Sequence, residues 1–424
     1  MKDLFDPISR DERQQQCVSK WIKKGGKATI EACTGFGKTR VATNIIGKLL
    51  EKRPDLGIFI VVPTTTLKEQ WEEILKSLGY IQNCRVQVIN TAITQDDITD
   101  LLIIDEIHRV VADTFKQVFE KIKYKLILGL TATIERLDGK HSLLNQYCPV
   151  VDTVSLLEAT ANGWVAPFKE YKVIIDTNDL MTYLNLDKEF NTHFEFFNYD
   201  FGLIMSLLGP KGFINKTHYR DKICSSNDKE VRANVLKLIN IHANGFMKAL
   251  QGRKNYINNH PKKLEIARKI INARSDKKII TFSNNIKMAE SIGIGCSYSG
   301  RDTKKKGRAT LEQIRNGDIN VLNTVAKCNE GLDVKGLSVA IILGLDSAKN
   351  KAIQRVGRVC RFEPGKQAEI FNIVLDNTVE NTWFENSHKG SDYITIDEEG
   401  LDAVLRGEDP KPYKKKLKEF MFRF

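Results

Sequence analysis

Ile30-Glu31-Ala32-Cys33-Thr34-Gly35-Phe36-Gly37-Lys38-Thr39 is the stretch that decides the fold. A short apolar run ends in a glycine-containing loop, and a helical pattern (Val41, Ile45, Ile46, Leu49, Leu50) follows. The order is strand, phosphate loop, helix. Gly35 and Gly37 let the backbone bend around an anion with its N–H groups pointing inward. The helix behind them adds the positive end of its dipole. Lys38 can reach the β- and γ-phosphates of a nucleotide, and Thr39 can hold Mg²⁺. Thr34 and Phe36 complete the candidate loop. Ala32 stands where the strict G-x-x-x-x-G-K-[ST] pattern has its first glycine, so a chance glycine turn competes with this reading until the rest of the chain is considered.

Upstream, Ile8 to Ile22 reads as an entry loop and an amphipathic helix with Val18, Trp21 and Ile22 on one face. Gln14, Gln15 and Gln16 precede the loop closely. A glutamine amide donates and accepts, as the edge of adenine requires; the competing reading is a polar helix face. Gln14 is preferred among the three, because Val18 and Trp21 fall four and seven residues later on its own face.

Downstream, Gly57 to Val62 is a buried strand that runs into Pro63-Thr64-Thr65-Thr66, with a helical pattern (Leu67, Trp71, Ile74, Leu75) after it. Ligands gather at the carboxyl ends of parallel strands. Pro63, Thr64 and Thr65 are therefore candidates for contact with a phosphodiester backbone, as is Thr91 after the strand Val86–Ile89. In Leu101-Leu102-Ile103-Ile104-Asp105-Glu106-Ile107-His108, four aliphatics carry two adjacent carboxylates to a strand end. Burying them is costly without a cation. Asp105 can hold Mg²⁺ through water and Glu106 can polarise an attacking water; the competing role for Asp105 is a helix cap. Leu126 to Thr133 is another strand ending in small hydroxyls, Thr131 and Thr133, suited to linking the site to movement elsewhere.

This alternation describes a doubly wound α/β domain over residues 1–168. A connecting strand and a mainly helical inserted region are expected over 169–260. There, aromatics among basic residues either stack on bases or, more often, form core. A second α/β unit is expected over 261–390 and a basic tail over 391–424. The second unit holds Thr281-Phe282-Ser283, Tyr298-Ser299-Gly300, Thr324, Glu330-Gly331-Leu332-Asp333 and Gln354-Arg355-Val356-Gly357-Arg358-Val359-Cys360-Arg361. Arg355, Arg358 and Arg361 follow one another at three-residue steps along one helix side. That spacing suits neutralisation of charge at a transferring γ-phosphoryl group.

The totals agree. A chain of 424 residues holds two or three domains, and 42% hydrophobic with 28% charged residues describes a globular protein. No apolar run approaches the roughly 20 residues of a membrane span, and the start Met1-Lys2-Asp3-Leu4 has no signal-peptide pattern. The eight cysteines are scattered without a C-x-x-C pair, which fits reduced thiols in a cytoplasm. The net charge of +12 (65 basic minus 53 acidic residues) favours a polyanionic partner, nucleic acid above all, over a merely basic surface.

In their order and spacing these segments resemble a superfamily 2 helicase. Motif I resembles Thr34 to Thr39, motif Ia Val61 to Thr65, and motif II Asp105 to His108. Motif III resembles Thr131 to Thr133, motif IV Thr281 to Ser283, motif V Thr324 with Glu330 to Asp333, and motif VI Gln354 to Arg361. The resemblance implies two RecA-like P-loop domains with ATP and Mg²⁺ in the cleft between them. Lys38, Thr39, Asp105 and Glu106 would act from the first domain, and Arg358 and Arg361 from the second. Gln354 and His108 would link the two, and Gly331 and Asp333 would lie near the ribose. Thr64, Thr65, Ser283 and Thr324 would grip one strand's phosphates, with Gly300 also at the nucleic acid. Within the superfamily the P-T-T-T-L-x-x-Q-W run is most similar to phage UvsW-type branch-migration helicases and their XPB-like relatives. That implies an ATP-dependent DNA helicase or translocase on branched or forked DNA, 3′ to 5′, in replication, recombination or repair. It is expected to be monomeric, in a bacterial or phage-infected cytoplasm, beside other replication or recombination proteins. An RNA helicase and a duplex-translocating subunit of a restriction or repair complex are the alternatives.

Overall fold

The computed structural model describes residues 8–109, 117–132, 144–209, 212–299, 301–325, 334–345, 357 and 359–413. Among them, two parallel sheets organise the chain. The first comprises β1 (Lys27–Ala32), β2 (Ile58–Val62), β3 (Cys84–Val88), β4 (Asp97–Asp105), β5 (Ile122–Thr131) and β6 (Val150–Val154), in the order β3-β2-β4-β5-β1-β6. Helices cover its faces, so β2 and the second half of β4 are continuous apolar runs rather than alternating: every residue of β2 is buried, as are Leu101 to Ile104 in β4. Each such Leu or Ile contributes about 2 kcal/mol on burial.

Helix α1 (Arg10–Lys23) starts at a capping box formed by Ser9 and Glu12. It buries Gln14, Cys17, Val18 and Trp21. Ile22, expected on the same face, is 52% exposed; it follows Trp21 directly and is therefore turned about 100° away. Arg13 ties α1 to β6 through Asp152 at 2.6 Å and to Glu158 at 2.8 Å. Helices α2 (Lys38–Lys52) and α3 (Thr65–Ser77) follow β1 and β2.

The second sheet comprises β7 (Phe168–Ile175), β8 (Lys278–Ser283), β9 (Cys296–Tyr298), β10 (Val321–Val325), β11 (Leu337–Ile342), β12 (Ala368–Leu375) and β13 (Ile394–Ile396), in the order β13-β7-β12-β11-β8-β10-β9. Two expectations change here. The strand read as a connector is an inner member of this sheet, paired with β12 from Phe168↔Ala368 to Ile175↔Leu375. The second domain therefore begins with β7, and the helical region interrupts it rather than separating two domains. The segment after residue 390 is likewise not all tail. β13 pairs with β7, and the helix Glu398–Leu405 buries Leu401 and Val404. Residues 414–424 lie outside the described residues.

The inserted helices are Leu180–Glu195, Phe201–Leu208, Gly212–Ile223 and Lys229–Asn258. Phe197, Ile204, Leu207, Ile239, Ala243 and Phe246 form their own core, with Phe190, Phe194 and Phe196 packed on it. Most of the aromatics there are core; Tyr199 and Phe201 face solvent. The last helix clasps the second domain, Asn284 to Asn258 at 2.8 Å and Asn285 to Asn259 at 3.1 Å. The cysteines among the described residues are free thiols. No helix among those residues is long and apolar enough to cross a membrane.

Candidate functional site

β1 delivers the chain into the phosphate loop. Gly35 and Gly37 adopt left-handed backbone, φ +94° and +101°, which costs glycine nothing at Cβ. Gly37 is also the N-cap of α2, so loop N–H groups and a helix N-terminus converge. Lys38 Nζ donates to the Ala32 carbonyl at 3.2 Å, across the loop. Thr39 is half-buried in the first turn. Phe36 is fully buried against Trp164, with ring centroids 5.6 Å apart, so the turn before β7 braces the loop.

Gln14 Nε2 donates to the Phe36 carbonyl at 2.8 Å, while its Oε1 is buried without a hydrogen-bond partner. A Cβ on Gly37 would lie 2.6 Å from that Nε2. Gln15 and Gln16 face solvent. Only Gln14 of the three meets the loop. Its open acceptor costs roughly 1–3 kcal/mol, a penalty that a donor on a bound base would remove.

β4 ends at the two carboxylates. Asp105 Oδ1 accepts from the Glu106 N–H at 3.0 Å, and Oδ2 accepts from the Trp71 indole N–H at 3.0 Å. Glu106 has φ +51°, which non-glycine residues seldom adopt. Its Oε2 is buried without a hydrogen-bond partner and lies 3.4 Å from His108 Nδ1. His108 Nδ1 is 3.0 Å from Thr131 Oγ1, so two of the expected coupling residues touch. Burial first, then the Glu106 charge, push the Asp105 carboxyl from 3.8 up to about 6, against the pull of Trp71 and Lys38. Two adjacent carboxylates, one with an oxygen buried without a hydrogen-bond partner, form a hard-oxygen donor set that fits Mg²⁺.

The second domain reaches the same loop. A Cβ on Gly357 would fall 2.2 Å from Thr34 Cβ, and one on Gly35 would fall 3.9 Å from Arg361 Cα and the Gly357 carbonyl. Ala166 N–H donates to the Cys360 carbonyl at 2.8 Å. Arg361 is half-buried. Burial pulls its guanidinium pKa down and Glu363 partly restores it. Thr133, Gly300, Gly331, Asp333, Gln354 and Arg358 lie outside the described residues.

A cavity of about 110 Å³ joins the ends of β2 and β4, lined by Val61, Val62, Pro63, Ile89, Asn90, Ile104, Asp105, Glu106 and Arg109. Thr65 and Thr91 are exposed. Thr64 Oγ1 accepts from Leu67 N–H at 3.3 Å and so caps α3. Two candidates for strand contact have buried side chains. Thr324 is fully buried and its hydroxyl donates to the Thr281 carbonyl at 2.7 Å; Ser283 is fully buried with its Oγ unpartnered. Both sit in inner strands, where packed helices cover the side chains. The sequence pattern assigns no site role to Trp71, Asn90, Arg109 or Trp164. Trp71 reads only as an apolar helix position and Trp164 as part of a turn, while Asn90 and Arg109 adjoin Thr91 and the Asp105–His108 segment.

The family described as "Type III restriction enzyme, res subunit" matches residues 8–97 and 81–136, and "Helicase conserved C-terminal domain" matches 262–363. Among curated relatives, the chain is 26% identical to "DNA 3'-5' translocase XPB2" of Sulfurisphaera tokodaii, over 89% of this chain and 84% of that one. It is 22% identical to "Putative helicase 22" of a Sulfolobus islandicus filamentous virus, over 92% and 68%. It is 25% identical to "Putative ATP-dependent RNA helicase L396" of Acanthamoeba polyphaga mimivirus, over 88% and 65%. In fold it resembles S. cerevisiae Dbp5 bound to RNA and ADP BeF3, with TM-score 0.57 and 12% identity over 93% of this chain and 91% of that one. The chain belongs to the superfamily 2 helicases and is an ATP-dependent helicase or translocase with two RecA-like domains.

Proposed function

We propose that this ATP-dependent motor translocates 3′ to 5′ along DNA and acts on forked or branched substrates. The observation that carries the reading is the contact of Thr34 and Gly35, in the phosphate loop, with Gly357 and Arg361 from the second domain. A nucleotide bound there would touch both halves, so its hydrolysis would alter how they fit. In support, the Sulfurisphaera relative is named a DNA 3'-5' translocase, and the chain carries a net charge of +12.

In this reading Gln14 Oε1 accepts from the adenine edge. Lys38 and the N-terminus of α2 hold the phosphates. Asp105 and Thr39 hold Mg²⁺, whose charge would screen the β- and γ-oxygens. Glu106 orients the attacking water, and Arg361 with Arg358 neutralises charge on the transferring group. The Glu106–His108–Thr131 contacts carry the change of state away from the carboxylates. Pro63, Thr65, Thr91 and Gly300 border the strand. No structural role is proposed for Ser283 or Thr324 beyond packing. The setting is a cytoplasm, with the protein as a monomer beside other replication or recombination proteins.

ATP hydrolysis measured with no nucleic acid, duplex DNA, forked DNA and matched RNA tests this at fixed salt. Stimulation greatest on forked DNA is expected, with binding that falls steeply as salt rises, because phosphate contacts release counterions. Equal stimulation by duplex and fork, without strand separation, points to a plain duplex translocase. The relative named as a putative RNA helicase motivates a second reading. Stimulation by RNA alone would establish it in place of the first.

A further inference from the structure

We infer that Trp71 is a positioning residue, whose indole N–H sets the orientation of Asp105 for Mg²⁺. The inference rests on the proposed role of Asp105 as the cation's carboxylate. Trp71 is 1% exposed, packed in the core of the first domain, on the inward face of α3. A buried indole must place its single donor, and the acceptor here is Asp105 Oδ2 at 3.0 Å. The other oxygen, Oδ1, accepts from Glu106 N–H, also at 3.0 Å. The carboxylate is therefore held at both oxygens, by backbone on one side and by α3 on the other. Rotation of the Asp105 side chain would break one bond or both. Each oxygen keeps a second lone pair for a cation or its water.

Phenylalanine and leucine are the commoner apolar choices for a core position, and neither has an N–H. Core packing alone does not require the donor that this sequence supplies. Trp71 also lies six residues along α3 from Thr65, about 9 Å at 1.5 Å per residue. The helix that begins at the proposed strand contact is thus the helix that grips the carboxylate. Partners that orient a metal ligand from behind typically change metal affinity 10–100-fold when removed.

The test is Trp71→Phe, read by nucleotide binding rather than turnover. ADP affinity is measured by calorimetry with and without Mg²⁺, in wild type, Trp71→Phe and Asp105→Asn. The expected result is unchanged metal-free affinity in Trp71→Phe, and a Mg²⁺-dependent gain reduced by about tenfold or more. A full gain in Trp71→Phe, with the gain lost in Asp105→Asn, overturns the positioning role and leaves the reading of Asp105 intact. A full gain in both variants overturns the reading of Asp105 itself. Should Trp71→Phe not fold, the natural protein answers through its tryptophan indole ¹⁵N–H resonances. One of them moves on adding Mg²⁺ to the ADP complex of wild type and stays still in Asp105→Asn; no such resonance overturns the inference.

Discussion

Each sheet buries a carboxylate near its carboxyl edge, and the two are treated in opposite ways. In the second domain Glu380 and Lys263 are both fully buried. Lys263 Nζ donates to Glu380 Oε1 at 2.5 Å and to the Leu343 carbonyl at 2.9 Å, and Glu380 Oε2 accepts from Leu375 N–H at 3.0 Å. Charge and hydrogen bonds balance inside the protein. In the first domain Asp105 and Glu106 stand side by side, one oxygen of Glu106 has no hydrogen-bond partner, and its backbone is left-handed. Among the described residues no lysine or arginine forms an ion pair with either carboxylate; His108, 3.4 Å from Glu106 Oε2, is the neighbour. A matched buried charge needs nothing further and serves the fold. An unmatched one costs stability until a ligand arrives, and so marks a site.

Two lysines put that contrast to its hardest test. Lys38→Ala removes the cation beside Asp105. ATPase activity should fall by at least about 10²–10³-fold while the melting temperature holds; retained turnover would break the assignment of the phosphate loop. Lys263→Met does the reverse. Burial already draws the Lys263 pKa down and the Glu380 pKa up, and removing the lysine strands a buried carboxylate. The expected cost is about 3–5 kcal/mol of unfolding free energy. Lys263→Met with Glu380→Gln should recover most of it, since Gln still accepts from Leu375. Chemical denaturation reads all three variants, and a single variant as stable as wild type would remove Glu380 from the comparison.

The next effect is smaller and changes with pH. Folded Asp105 holds its proton up to about pH 6, against 3.8 for an ordinary aspartate. Between these values the folded state binds more protons than the unfolded one, so stability falls as pH rises and the full penalty stands above pH 6. Asp105→Asn carries no charge and escapes it. Without Mg²⁺ the variant should be more stable than wild type at pH 7.5, by up to about 3 kcal/mol, and no more stable near pH 4. Thermal melts across that range check both ends. A gain that persists at low pH would mean packing, not charge, separates the two proteins.

Much of this was legible because local sequence wrote it. A strand running into Gly35, Gly37, Lys38 and Thr39, or four aliphatics running into Asp105, needs no partner to be read. Strand pairing is different. β7 and β12 are joined in register though some 200 residues apart, and nothing in Phe168 to Ile175 names Ala368 to Leu375 as neighbours. For the same reason β13 read as tail. The burial of Thr324 and Ser283 has another cause. A hydroxyl at a strand end reads as available, and only the folded sheet shows that the Thr281 carbonyl takes one and that the other is buried. Trp71 was seen as an apolar helix position, which it is. Its N–H is invisible to periodicity.

Two further orphaned atoms sharpen the contrast at its fine end. Gln14 Oε1, beside the phosphate loop, and Ser283 Oγ, inside the second sheet, are both buried without a partner. If an open acceptor at the site awaits a ligand and one in the sheet awaits nothing, truncating them should have different consequences. Gln14→Ala should weaken ATP binding by about tenfold, or about 1.4 kcal/mol, and narrow the preference for ATP over GTP, because adenine presents an amino donor at C6 where guanine presents a carbonyl acceptor. Ser283→Ala removes an unpaired hydroxyl and loses no hydrogen bond. Its stability should stay within about 0.5 kcal/mol of wild type or rise slightly, with ATP affinity unchanged. Nucleotide titrations of both variants, each with ATP and GTP, decide the matter. Equal selectivity in Gln14→Ala and wild type would demote Gln14 to a brace for Phe36. A loss of ATP affinity in Ser283→Ala would mean that the second sheet's orphan, too, belongs to the site.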